Sequence, residues 1–159
     1  MPDCAREVMP TVLITGASRG LGLEFARQYA ELGWHVLSTC REPDRASALR
    51  ELSERHPSMC LHALDVTQDK SVRSLAEVLD GTTIDVLLNN AGIAGRIDRQ
   101  VLGALDYGVG HETMETNLFG PLRMAEAFLE HVAASAQRKI MTISSALGSI
   151  SSTTGGSFF

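Results

Sequence analysis

Three observations predict an α/β protein built on a doubly wound parallel sheet. Five short apolar runs alternate with stretches of helical periodicity. The runs show little polar alternation, as expected of strands covered on both faces. Polar or glycine-rich motifs follow the runs, at the strand ends where ligands bind in parallel sheets.

The first run is residues 11–15, Thr-Val-Leu-Ile-Thr, followed by a glycine-rich turn at 16–22. Helical spacing then covers 21–32, with apolar residues at 21, 25, 29 and 32, and Gly33 is placed to cap its end. A second strand is predicted at 35–39. Pro43 and Asp44 open a polar helix to about residue 55, and a third strand covers 60–66. Residues 71–79 present Val72, Leu75, Ala76 and Leu79 on one helical face. A fourth strand at 84–88 leads into Asn89-Asn90-Ala91-Gly92. Residues 95–110 read as a loop on the ligand side. A longer helix over 112–132 carries a stripe of Met114, Leu118, Pro121, Ala125, Phe128 and Val132. The fifth strand is 139–144, and the Gly/Ser/Thr-rich 148–157 reads as a flexible loop.

The 159 residues are one domain's worth of chain, with 44% hydrophobic and 21% charged residues. Net charge is −5, from 14 basic and 19 acidic side chains, which argues against nucleic acid as a partner. No apolar run approaches the ~20 residues that span a bilayer, and residues 1–10 lack the apolar core of a secretory signal. Cys4, Cys40 and Cys60 are odd in number and widely spaced. Reduced, mostly buried thiols in the cytoplasm are therefore expected, and neither cysteine nor histidine spacing suggests a metal site.

The turn Thr15-Gly16-Ala17-Ser18-Arg19-Gly20-Leu21-Gly22 suits a phosphate. Glycines let backbone approach a ligand, and a helix N-terminus presents free N–H groups. A tight strand-to-helix turn without a ligand fits the same residues. Asn117 lies four residues before Pro121 on one helix. Proline has no N–H, so the Asn117 carbonyl loses its usual helical donor. A simple kink would have the same effect.

Together with Asn89-Asn90-Ala91-Gly92, the glycine turn resembles the classical short-chain dehydrogenase/reductase family over essentially the whole chain. Leu64-Asp65-Val66, Asn117-Leu118-Phe119-Gly120 and Ile143-Ser144-Ser145 match further motifs in order. Residues 144–150 are similar to the sniffer/C-factor-like carbonyl reductase branch. The resemblance implies a Rossmann-type sheet of strands one to five with the C-terminal strands missing. Residues 1–159 would then form a single dinucleotide-binding domain, C-terminally incomplete. It implies cofactor binding by Gly16, Ser18, Arg19, Gly20, Leu21, Gly22, Arg41, Asp65, Val66, Asn90, Ala91 and Gly92. Ser145 would hydrogen-bond a substrate carbonyl, and the Asn117 carbonyl would hold a water of a proton relay. The activity implied is reduction of a ketone or aldehyde by hydride transfer, in a homo-oligomer (dimer or tetramer). An NADP(H)-binding pseudoenzyme or regulatory module is the alternative, and a structural partner dimerising through an exposed helix and strand edge is a third.

NADP(H) is expected over NAD(H). An NAD enzyme of this type usually ends its second strand with an acidic residue for the ribose hydroxyl. Here Thr39-Cys40 leads to Arg41, and Arg19 lies in the glycine turn, two guanidinium groups suited to a phosphate.

The resemblance departs in one respect. The family's proton donor is the tyrosine of a Tyr-x-x-x-Lys motif. The two tyrosines, Tyr29 and Tyr107, are followed four residues on by Gly33 and His111, and the only lysines are Lys70 and Lys139. The chain is expected to stop in the loop just before that motif, and so to lack turnover alone. Its fifth strand would then be an exposed apolar edge prone to pairing.

Overall fold

The structure, a computed structural model, describes residues 9–146, 149 and 151. Five parallel strands form one sheet: β1 Thr11–Ile14, β2 His35–Cys40, β3 Met59–Ala63, β4 Val86–Asn89 and β5 Lys139–Thr142. Their order is β3-β2-β1-β4-β5. The winding reverses between β1 and β4, and this switch point opens a crevice at the strand carboxyl ends. Val12 pairs with Val36 on one side and with Val86 on the other.

Alternate residues of the central strands feed two cores. Val12, Ile14, Val36 and Leu88 pack against α1 (Gly20–Glu31) and α2 (Ser47–Arg55). Leu13, Leu37 and Leu87 pack against α3 (Asp69–Val78), α5 (Gly120–Ala127) and α6 (Leu129–Ala133). Helix α4 (Tyr107–Met114) precedes α5. The apolar runs lack polar alternation because both faces of the central strands are covered.

Several helices differ in phase or extent from the sequence expectation. On α1 the buried face is Gly22, Ala26 and Ala30. Leu21 is 63% and Leu32 74% exposed, while Phe25 and Tyr29 flank the core. Small residues face the sheet because the helix starts too close to it for larger ones. A Cβ on Gly22 would lie 2.3 Å from the Gly16 carbonyl oxygen. The helix expected from Pro43 is a 3-10 turn, Pro43–Arg45, followed by α2. The loop expected over 95–110 contains a 3-10 turn, Ile97–Arg99, and the start of α4, which Asp106 caps through the Gly108 and Val109 N–H groups. The fourth strand begins at Val86, two residues later than expected, and the third ends at Ala63.

The single helix expected over 112–132 is α4, a π turn at Glu115–Phe119, α5 and α6. The Gly120 N–H donates to the Glu115 carbonyl, five residues back. The extra residue in that turn shifts the helical phase. Thr113, Thr116, Gly120, Met124, Phe128 and Val132 therefore face inward, whereas Met114 and Leu118 are exposed. The residues of β5 are exposed at one sheet edge, among them Ile140 and Met141.

Cys40 is buried, and that burial pushes its thiol pKa up. Cys60 is exposed on β3, contrary to the expectation of mostly buried thiols, because β3 forms the opposite edge of the sheet. Cys4 lies outside the described residues. Among those described, no helix is long and apolar enough to cross a membrane, and no group of His, Cys, Asp or Glu is arranged to hold a metal ion.

Phe128 is fully buried beneath β4 and α3. Phe128→Ala is expected to lower stability by about 3–5 kcal/mol through lost burial and a cavity. Denaturant unfolding measures it, and a loss below about 1 kcal/mol would contradict this account of the packing.

Candidate cofactor cleft at the strand ends

At the switch point, the Thr15 hydroxyl oxygen accepts the N–H groups of Asn90 and Ala91, both at 3.0 Å. The Asn90 amide donates back to the carbonyls of Thr15 (2.9 Å) and Gly16 (3.1 Å). The glycine turn is also tied to β2, since the Ala17 N–H donates to the Thr39 carbonyl at 2.8 Å. Gly16 has φ +69°, and a Cβ there would lie 2.8 Å from the Ala91 Cα. Glycine is required here both for the backbone angle and for the close approach to the β4 segment.

Helix α1 begins just beyond, and no side chain caps it. Its first N–H groups therefore face the crevice without a side-chain acceptor. Gly20 has φ +57°, and a Cβ there would meet nothing within 4 Å. Gly20 also lines the crevice.

Asp65 closes its own turn by accepting the Thr67 N–H (3.0 Å) and hydroxyl (2.7 Å). The Ser71 hydroxyl receives the Asp65 N–H at 3.0 Å. The Asn117 side chain clamps the segment after β4. Its amide donates to the Ile93 carbonyl at 2.8 Å, and its oxygen accepts the Ile93 N–H at 2.9 Å. The π turn holds Asn117 in place for this two-point contact.

These elements enclose a cleft of about 920 Å³. All twelve residues assigned to cofactor binding from the sequence line it: Gly16, Ser18, Arg19, Gly20, Leu21, Gly22, Arg41, Asp65, Val66, Asn90, Ala91 and Gly92. Arg19 and Arg41 are exposed in its wall, and no ion pair engages either among the described residues. Glu42, the acidic neighbour of Arg41, is turned to Arg45 at 3.0 Å. Arg41, Arg45 and Ser18 also line an adjoining recess of about 420 Å³.

The two residues assigned to catalysis are not part of that lining. Asn117 stands beside it, with its Oδ1 3.3 Å from where a Gly92 Cβ would be. Ser145 follows β5 and is exposed. Glu112, Glu115 and Thr116 line the cleft without having been singled out in the sequence. The spacing of Glu112, Glu115 and Thr116 on one turn was a usable signal. The role of Thr15, as the acceptor for two backbone donors, had none beyond its place at a strand end.

A parallel sheet wound in both directions about a glycine turn, with its crevice at the switch point, is a Rossmann-type α/β fold. The chain belongs to the short-chain dehydrogenase family of oxidoreductases: the family model, described as short chain dehydrogenase, matches residues 10–158. The (+)-neomenthol dehydrogenase of Arabidopsis thaliana is 33% identical over 168 residues, covering 92% of this chain and 57% of that protein. The NADPH-bound carbonyl reductase from chicken fatty liver is similar with a TM-score of 0.81 and 34% identity, covering 90% of this chain and 62% of that one. The Sniffer protein of Caenorhabditis elegans gives 0.79 and 25%, covering 93% and 68%. Carbonyl reductase and Sniffer-type structures are thus among its relatives, as residues 144–150 suggest. The chain spans a little over half the length of the plant dehydrogenase.

Thr15→Val keeps the side-chain shape and removes the acceptor for two partly buried N–H groups. A loss of about 1–3 kcal/mol is expected, since unmet buried donors carry that cost. Thermal unfolding beside the parent measures it, and an unchanged midpoint would mean the hydroxyl does not hold β4 to the turn.

Proposed function

We propose that the chain forms the NADP(H)-binding part of an oxidoreductase that reduces a ketone or aldehyde to an alcohol. The observation that carries this reading is the single cleft joining the uncapped α1 N-terminus, the strand-end residues and two unpaired arginines. The fit to a dinucleotide phosphate is chemical. Anions favour free N–H groups at a helix start, and the glycine turn leaves room for their approach. Arg19 and Arg41 suit the additional phosphate of NADP(H), and the Glu42–Arg45 contact turns the nearby carboxylate away from it. The NADPH carried by the chicken carbonyl reductase supports the same cofactor.

When bound, the cofactor supplies hydride to the carbonyl carbon. The protein orients the reactants and excludes water. Asn90 and Thr15 hold the turn beneath the phosphates, and Asn117 fixes the segment through Gly92 and Ile93. Ser145 donates a hydrogen bond to the substrate carbonyl oxygen. A cytoplasmic homo-oligomer is the setting that goes with this reading. The free thiols of Cys40 and Cys60 suit a reducing compartment, and the exposed Met114, Leu118 and Leu122 provide apolar surface for association. An NADP(H)-binding module without turnover is the second reading, since the twelve cofactor residues line one cleft while Asn117 and Ser145 stand outside its lining.

Calorimetric titration is expected to show tighter binding of NADP+ than of NAD+. Arg41→Asp is expected to reverse the preference, by replacing a phosphate partner with a ribose acceptor. Equal affinities in the parent would overturn the assignment of Arg41.

A polypeptide of residues 1–159 is expected to bind cofactor without consuming NADPH on a reactive dicarbonyl. Positioned proton transfer alone contributes roughly 10²–10⁴-fold. Ser145→Ala should leave that baseline unchanged. In a longer form carrying Tyr-x-x-x-Lys, the same substitution should cut turnover sharply. Robust, Ser145-dependent turnover by the 159-residue polypeptide would require a proton donor among these residues.

A further inference from the structure

Arg123 lies on α5 and is not among the twelve residues that the sequence assigns to the cofactor, although it touches one of them, Val66. Its guanidinium reaches in two directions. One nitrogen donates to the Val66 carbonyl at 3.3 Å, and another is hydrogen-bonded to Glu115. The Arg123 side chain is 24% exposed and that of Glu115 38%. Both partners line the cleft. Val66 belongs to the turn after β3 and lines the same cleft as the segment after β4.

The same contact is tightened by packing. A Cβ on Gly120 would lie 2.9 Å from Val66 Cγ2, so α5 closes directly onto the Val66 side chain. Glu115 opens the π turn, and its carbonyl accepts the Gly120 N–H. Two residues on, Asn117 holds Ile93. The five-residue turn is thus linked to two cleft segments: to residue 66 through Glu115 and Arg123 of α5, and to residue 93 through Asn117.

We infer that Arg123 is a positioning residue for the cofactor cleft, holding the Val66 turn in the place a bound dinucleotide requires. The inference rests on the cofactor reading above and deepens it. A planar guanidinium can serve a carbonyl and a carboxylate at once from fixed directions. Its two partners come from different elements, so it sets their separation. A methionine of similar length keeps the apolar stem and loses both hydrogen bonds.

The test compares the parent, Arg123→Met and Arg123→Lys in the purified protein. NADP+ and adenosine 2′,5′-bisphosphate are titrated by calorimetry, and thermal midpoints are measured in parallel. Arg123→Met is expected to weaken both ligands by about tenfold, the scale of one hydrogen bond to a charged group. Similar losses for the two ligands place the effect on the adenosine 2′-phosphate portion that they share. Arg123→Lys is expected to recover a substantial part, since an ammonium still reaches one partner. If Arg123→Met fails to fold, Glu115→Gln takes its place, with a smaller loss of about threefold expected for both ligands. A lowered thermal midpoint with unchanged affinities would overturn the positioning role and leave a brace for stability alone. Failure of the parent to bind either nucleotide would overturn the cofactor reading itself, and this inference with it.

Discussion

The cleft depends on one hydroxyl oxygen. Thr15 ends the first strand and accepts the N–H groups of two successive residues beyond the fourth. The Asn90 amide returns two hydrogen bonds to the carbonyls of residues 15 and 16. Four hydrogen bonds therefore join the two segments at the place where the sheet reverses its winding. The close approach of Gly16 to Ala91 follows from that juncture, as does the crowding around Gly22. Small residues at 22, 26 and 30 then let α1 lie against the sheet with its N-terminus over the crevice.

A second part of the cleft is organised by an irregularity. An ordinary α-helix through residues 115–119 would keep each backbone donor on the fourth residue back. The π turn inserts one residue into that count and turns Asn117 toward Ile93. Glu115, in the same turn, faces Arg123. Irregular helical turns of this kind are often found at functional sites, and here the irregularity brings polar side chains to two neighbouring segments that a straight helix would not serve together.

Much of this architecture was legible in the sequence, because its signals are local. Uninterrupted apolar runs marked strands with two covered faces, and glycine at 16 and 33 marked backbone angles that other residues adopt with strain. The residues that line the cleft were legible as a set because each motif sits at a strand end. What escaped was phase and partner choice. Leu21 and Phe25 suggested the inward face of α1 by size, whereas the space beneath the helix admits only small side chains. Pro121 disclosed that a donor was missing. It did not disclose that the helix would respond with an extra residue, which moves Met114 and Leu118 outward. The Arg123–Val66 contact joins residues 57 positions apart, and no spacing rule encodes such a pairing.

The strand order also governs how the chain assembles. Val12 finds Val36 by closing a short segment, but it finds Val86 by closing one about three times as long. Strands β1, β2 and β3, with the two helices between them, can gather before the fourth strand arrives. During that interval β1 is a bare edge with Leu13 and Ile14 uncovered on one side. Long-range parallel pairing is slow for this entropic reason. The Thr15 amide, which donates to the Leu88 carbonyl at 3.0 Å, should thus gain protection from hydrogen exchange later than the Val36 amide, which bonds within the early half. Pulse-labelled exchange during refolding would reveal that order, and simultaneous protection would show that the sheet closes in one step. On that order the crevice closes only when β4 joins β1, since its two banks belong to two separate halves of the chain.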